Sequence, residues 1–245
     1  MNLTKLLKRS RIPNMQTIDA LRQPKLDTHK SRVNIGFLDD GAKWITEPAM
    51  YDEHTLRIAG HPVMEDWEQG YMETLARIAT TNGGRVLELG YGMGLSAHAI
   101  QSHDIDSHYV IEANVDVATK ALKDLRSPLD KNKVHVFTGL WEDVTPTLAD
   151  GSFDGILFDT YPLTEEQIHS NHFWFFKEAY RLLKPGGVLT YYSDEVNSFS
   201  EQHIAKLVEA GFNPDKFTSE VCPVQPPEDC EYWQHDTILA PIIVK

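Results

Sequence analysis

Residues Arg85–Leu95 read RVLELGYGMGL, and their reading decides the fold. The run RVLEL, closed by a glycine, has the length and apolar content of a buried strand. Gly90, Gly92 and Gly94 follow at alternate positions, where a missing Cβ lets the backbone turn tightly and approach a ligand. Leu95–Gln101 then carries apolar residues at helical spacing. Strand, glycine turn and helix together form the opening unit of a nucleotide-type α/β sheet.

Downstream the same rhythm repeats. Tyr109–Ala113, Val134–Gly139, Phe153–Asp159 and Gly187–Tyr192 read as strands, with Val115–Leu125 and Glu165–Leu183 as helices between them. Lys184-Pro185-Gly186-Gly187 predicts a sharp helix stop and a turn. Glu201–Ala210 reads as a helix closed by Gly211, and Phe217–Val224 and Ile238–Val244 as two last strands around Pro226-Pro227. Upstream, Met64–Ile78 has the spacing of a helix, with Trp67, Tyr71, Leu75 and Ile78 as its apolar residues. Regular alternation of strand and helix implies a doubly wound, Rossmann-like α/β fold whose seven-stranded sheet is mostly parallel. We place this domain at residues 41–245.

Ligands of such sheets lie at the carboxyl ends of the strands. The spacing here is G-x-G-x-G, with Leu95 where a third dinucleotide-binding glycine would stand, which favours S-adenosylmethionine over NAD. Glu112 ends the next strand about twenty residues on, where a carboxylate can accept from both ribose hydroxyls. Trp141 and Glu142, after the third strand, are candidates to flank the adenine. A structural tight turn, a surface Glu and a core Trp are the bland alternatives.

Two carboxylates are candidates for the chemistry. Asp159 ends the fourth strand, and Glu68 falls on the upstream helix with Met64 and Met72 at i−4 and i+4. A guanidinium has a pKa of about 13.8 and a planar fork of N–H donors. A carboxylate pair can grip that fork, aim one nitrogen at a methyl donor and accept the released proton. Spacing alone is equally consistent with a surface helix acid and a strand-end cap.

The chain has 245 residues, 41% hydrophobic and 24% charged, with a formal net charge of −13. That balance repels nucleic-acid phosphates and suits cationic substrates, and no apolar run approaches a membrane span. Residues 1–33 depart from it, with Lys5, Lys8, Arg9, Arg11, Arg22, Lys25, Lys30 and Arg32 against Asp19 and Asp27. We read residues 1–40 as a basic, partly disordered extension. Cys222 and Cys230 make no disulfide framework and suit a reduced, cytoplasmic setting. His169 and His172 have no carboxylate pattern to complete a metal site and read as surface histidines. Nothing in the sequence specifies an oligomeric state.

Met64-Glu65-Asp66-Trp67-Glu68, GYGMG at 90–94, GLWED at 139–143, FDGILFDTYPL at 153–163 and RLLKPGGVLTY at 181–191 closely resemble guanidinoacetate N-methyltransferases. The similarity runs from about Trp44 to Lys245, and GYGMG with Glu112-Ala113 is more distantly similar to arginine δ-N-methyltransferases. This resemblance implies a class I S-adenosylmethionine-dependent methyltransferase acting on a small guanidino compound. It implies cofactor contacts at Trp44, Met64, Met72, Gly90, Tyr91, Gly92, Met93, Gly94, Leu95, Glu112, Ala113, Asn114, Trp141, Glu142 and Asp159. It further implies that Glu68 and Asp159 hold the guanidino group, Asp159 taking the proton, with Met64 and Met72 nearby.

One departure bears on the substrate. Where the family has a Leu-Thr pair that receives the carboxylate of guanidinoacetate, this chain has Asp194 and Glu195. Two acids repel a carboxylate and suit an amino group, so L-arginine or a similar amino-bearing guanidine is expected. Guanidinoacetate itself, with backbone amides as receiver, and a protein-borne arginine, which would need an open peptide groove, are the alternatives. An NAD-dependent oxidoreductase is disfavoured by the glycine spacing, and a silent cofactor-binding module by the presence of both acids.

Overall fold

The computed structural model describes residues 41–125 and 133–245. The basic stretch 1–40 lies outside the described residues. The described chain opens with α1 (Gly41–Thr46) and an antiparallel meander of β1 (Ala49–Tyr51), β2 (Thr55–Ile58) and β3 (His61–Glu65). The helix expected over Met64–Ile78 therefore starts later. Met64 pairs with Leu56 on β2, and the Asp66 N–H donates to the His54 carbonyl, so these residues spend their backbone groups on strand pairing. A 3-10 turn, Asp66–Glu68, leads into α2 (Gln69–Ala79). Met64 and Glu68 thus share no helical face; a strand residue and a turn residue meet instead.

The remaining elements are β4 (Arg85–Leu89), α3 (Leu95–Gln101), β5 (Ser107–Glu112), α4 (Val115–Asp124), β6 (Lys133–Thr138), α5 (Trp141–Val144) and β7 (Phe153–Phe158). They are followed by α6 (Asn171–Leu182), β8 (Leu183–Tyr191), α7 (Glu201–Glu209), β9 (Phe217–Pro223) and β10 (Thr237–Val244). Seven strands form one sheet in the order β6-β5-β4-β7-β8-β10-β9. The pairs from β6 to β8 are parallel, and β10 is antiparallel to both β8 and β9. This is the doubly wound, mostly parallel sheet expected from the sequence.

Helix packing on both faces explains the near-continuous apolar runs. Val86 and Leu157 point to the α2 face with Leu75 and Ile78, whereas Leu87, Ile156 and Phe158 point to the α6 face with Phe175 and Leu182. Tyr71 is fully buried, and its hydroxyl donates to the Leu239 carbonyl at 2.9 Å, tying α2 to β10.

Two boundaries differ from the sequence reading. The helix expected from Glu165 is confined to Asn171–Leu182, because His169 adopts φ +59 and interrupts it. The Lys-Pro-Gly-Gly stretch is an irregularity inside β8 rather than a turn. Phe153 pairs with Leu183 and Gly155 with Val188, leaving the extra residues to meet the chain end, where Gly186 N–H donates to the Lys245 carbonyl.

Gly155 marks a close helix–sheet contact, since a Cβ there would stand 1.7 Å from the Ala79 carbonyl oxygen. Backbone meets backbone, so no rotamer relieves the clash. Gly155→Ala is expected to destabilise the fold by about 3 kcal/mol or more. Thermal unfolding followed by circular dichroism would then show a midpoint roughly 6 °C or more lower.

Candidate active site

The chain runs from β4 outward to β6 and then returns across β4 to β7, so β4 and β7 flank the topological switch point. Their carboxyl ends touch. The Asp159 N–H donates to the Leu89 carbonyl at 2.9 Å, and a Cβ on Gly90 would lie 1.9 Å from the Asp159 carbonyl oxygen. Only glycine permits that crossing. Gly92, at φ +55, has its open side against Met64, whose sulfur lies 3.3 Å from the Met93 nitrogen.

Glu112 ends β5 almost fully buried and bridges the neighbouring loops. One oxygen accepts from the Tyr91 N–H and the other from the Asn114 N–H, both at 2.8 Å. Burial pushes its carboxyl above the ordinary range against those hydrogen bonds. Trp44 and Tyr161 stack at 5.1 Å across the wall of the cleft, with the Tyr161 hydroxyl 3.0 Å from His61 Nδ1. Trp141 stands edge-on to Phe158 and Phe175. The cleft is lined by residues of the β4 and β7 ends, of the meander and of the loops after β5, β6 and β8.

Glu68 and Asp159 line this one cleft. Glu68 is 2% exposed, and its Oε1 accepts from the Glu65 N–H at 3.0 Å and from the Tyr232 hydroxyl at 2.5 Å. Burial, with the Asp159 charge added, pushes Glu68 up to about 8. Burial, with Glu88, Asp194 and Glu112 added, pushes Asp159 up to about 7. No Lys or Arg lines the cleft among the described residues. Two desolvated acids without a protein cation favour a cationic ligand between them.

The structure brings Trp44, Met64, Glu68, Gly90, Gly92, Glu112, Ala113, Trp141, Glu142, Asp159 and Asp194 to the cleft. It places others behind it. Met72 is buried in the α2 core, and Leu95 packs on the same cluster. Tyr91 turns inward, its hydroxyl donating to Asp124, and Gly94 caps α3 beside that ring. Asn114 caps α4 through the Asp116 and Val117 amides while its Nδ2 donates to the carbonyls of Trp44 and Glu47. It holds α1 in place.

Asp194 and Glu195 part company. Asp194, at φ +54, faces the cleft and its Oδ1 lies 2.8 Å from His169 Nδ1, while Glu195 turns to the start of α7, accepting from the Ser200 N–H. His169 and His172 are not surface histidines. His169 lines the cleft, and His172 is buried among Phe173, Tyr191 and His203. Tyr232 and Tyr192 also line the cleft and carried no signal in the sequence beyond an aromatic residue in a loop or at a strand end. Tyr161 lay within the DTYP string. No cluster of three His, Cys, Asp or Glu suited to a metal occurs among the described residues.

Residues 38–245 match the family model described as guanidinoacetate N-methyltransferase. The chain belongs to this family. Its fold is that of the class I methyltransferases, and its cofactor is S-adenosyl-L-methionine, which a cleft floored by glycine backbone and walled by Glu112 and Trp141 fits. Similar curated proteins are protein arginine N-methyltransferase 2 of Yarrowia lipolytica, 33% identical over 139 residues, and that of Saccharomyces cerevisiae, 32% identical over 143. Each alignment covers 54% of this chain and 28% or 32% of the relative, so the chain spans under a third of their length. Among solved structures, spermidine synthase of Thermotoga maritima superposes at a TM-score of 0.57 with 16% identity, covering 80% of this chain and 72% of that one. TYW2 of M. jannaschii in complex with AdoMet superposes at 0.50 with 14% identity, covering 81% and 84%. Both likenesses are of fold. No described helix is long and apolar enough to cross a membrane.

The Asn114 contacts make a specific demand. Asn114→Ala loses a helix cap, about 1 kcal/mol, together with both tethers to α1. Amide hydrogen exchange across residues 43–49 is expected to quicken roughly tenfold or more, with exchange in β4 unchanged.

Proposed function

We propose that this chain transfers a methyl group from S-adenosyl-L-methionine to a guanidino nitrogen of a small molecule, with L-arginine or a similar amino-bearing guanidine preferred. The observation that carries this reading is a pair of carboxylates, Glu68 buried and Asp159 half-buried, in a cleft that no described Lys or Arg lines. A planar cation supplies the charge that the fold withholds.

When bound, the cofactor supplies an electrophilic methyl group on a positively charged sulfur. Glu68 and Asp159 accept N–H hydrogen bonds from the guanidinium and fix which nitrogen faces that methyl. A free guanidinium holds its proton to a pKa of about 13.8, so prior deprotonation is costly. The nitrogen's proton would leave as the N–C bond forms and the methyl's bond to sulfur breaks, the neutral thioether being the leaving group, and Asp159, beside the glycine loop, would receive it. A carboxyl raised to about 7 is matched to that task near neutral pH. In this reading Asp194, buried beside His169 in the same cleft, meets the amino end of the substrate. In this reading residues 41–245 are the catalytic domain, and the two buried thiols suit a cytoplasmic setting.

A second reading, methylation of an arginine side chain in a protein, is favoured by the names of the curated relatives. Labelled methyl transfer to L-arginine, guanidinoacetate and a cell extract separates the readings. The expected outcome is turnover of L-arginine well above guanidinoacetate; strong turnover of guanidinoacetate alone overturns the preference, and labelling of extract proteins alone favours the second reading.

Both acids must be ionised to hold a cation, and a raised carboxyl is neutral below its pKa. Activity is therefore present above these values and lost as pH falls through them. We expect kcat/KM to climb between pH 6 and about 9, following the carboxyls raised to about 7 and about 8. Glu68→Gln and Asp159→Asn are expected to lower kcat/KM by roughly 10²–10⁴, and Glu68→Gln to leave S-adenosylhomocysteine binding, measured by calorimetry, little changed.

A further inference from the structure

The loop between β9 and β10 enters the site from the far end of the chain. Its ends are joined where the Val224 N–H donates to the Asp236 carbonyl at 2.9 Å. Glu231 is anchored to Arg57 on β2 by an ion pair of 2.8 Å. Between these anchors Tyr232 is 5% exposed, with its ring 5.8 Å from that of Trp67 and its hydroxyl donating to Glu68 Oε1. The same oxygen already accepts from the Glu65 N–H. Two donors on Oε1 leave Oε2 as the oxygen available to a cation in the cleft.

We infer that Tyr232 is a positioning residue for guanidine recognition, its hydroxyl clamping one oxygen of Glu68 so that the other is presented to the substrate. This rests on the guanidine reading of the cleft. The groups facing Glu68 are Asp159 from the end of β7, Glu65 from β3, Tyr192 from the end of β8 and Tyr232 itself. The two acids oppose its ionisation. A hydrogen bond to the charged form favours that form, and Tyr232 is the side-chain donor that opposes burial there. Burial raises its own phenol, so it stays a donor across the working pH range. Without the hydroxyl, Glu68 holds its proton to higher pH and loses its fixed orientation.

The test compares wild type, Tyr232→Phe and Glu231→Gln, the last loosening the loop without touching the hydroxyl. In Tyr232→Phe the acid limb of kcat/KM for the preferred guanidine is expected to move up by roughly half to one pH unit. The loss is then roughly three- to tenfold at pH 7 and under about twofold at pH 9. S-adenosylhomocysteine binding and the melting temperature are expected to stay near wild type. A merely structural role would lower activity equally at every pH. Carbon-13 NMR titration of labelled glutamate carboxyls, with the Glu68 signal identified by its loss in Glu68→Gln, reads the same shift without any substrate. An unmoved Glu68 titration in Tyr232→Phe overturns the inference, as does an equal shift in Glu231→Gln. A shifted titration in a protein that methylates no guanidine leaves the clamp standing and removes the guanidine reading instead.

Discussion

The desolvation of two acids in one cleft is the constraint on which the rest of this structure depends. Glu68 is buried and Asp159 half-buried in the same cleft, and like charges drawn away from water favour neutrality unless a cation joins them. The site is therefore built to be incomplete. In the proposed reading its electrostatics are satisfied by a cationic ligand, since no lysine or arginine lines the cleft among the described residues.

Holding such a pair demands a stiff frame. The frame is the meeting of β4 and β7, where Gly90 lets the backbone pass against the Asp159 carbonyl closer than any side chain allows. That contact sets Asp159 beside the glycine loop and leaves the loop backbone open on its other side. Buried polar pairs behind it add rigidity, as where Ser96 at the start of α3 donates to Glu88, which lies 3.0 Å from His108. The sheet thus supplies one acid and the glycine floor of the cleft from two strands that are neighbours in space but far apart in the chain.

The other acid comes from outside the sheet. Glu68 closes a 3-10 turn after the meander, and its orientation is fixed from Glu65 nearby and from Tyr232 across 164 residues of sequence. The meander is in turn latched to the loop, the Tyr51 hydroxyl donating to the Gly92 carbonyl at 3.1 Å, and α1 is held by Asn114. Segments that do nothing alone become a wall when they share these few hydrogen bonds.

The parts read most easily from the sequence are those whose reason is local. The strands from Arg85 to Asp159 and the glycine turn announce themselves because burial on both faces writes a continuous apolar run, and because a backbone crossing requires glycine at that point. The meander was hidden, since β3 carries Met64 and the spacing that follows it mimics a helix. His169 and His172 read as surface residues because a polar ring gives no local sign of burial. Asp194 and Glu195 are neighbours in sequence, yet Asp194, at positive φ, faces the cleft while Glu195 turns to the Ser200 amide at the start of α7. The sequence by itself determined the sheet, the loop and the identities of the acids. Only the tertiary structure decided which acids share a cleft, which tyrosine holds Glu68 and which expected contacts stand behind the wall, because those depend on hydrogen bonds and close approaches between segments that no local pattern records.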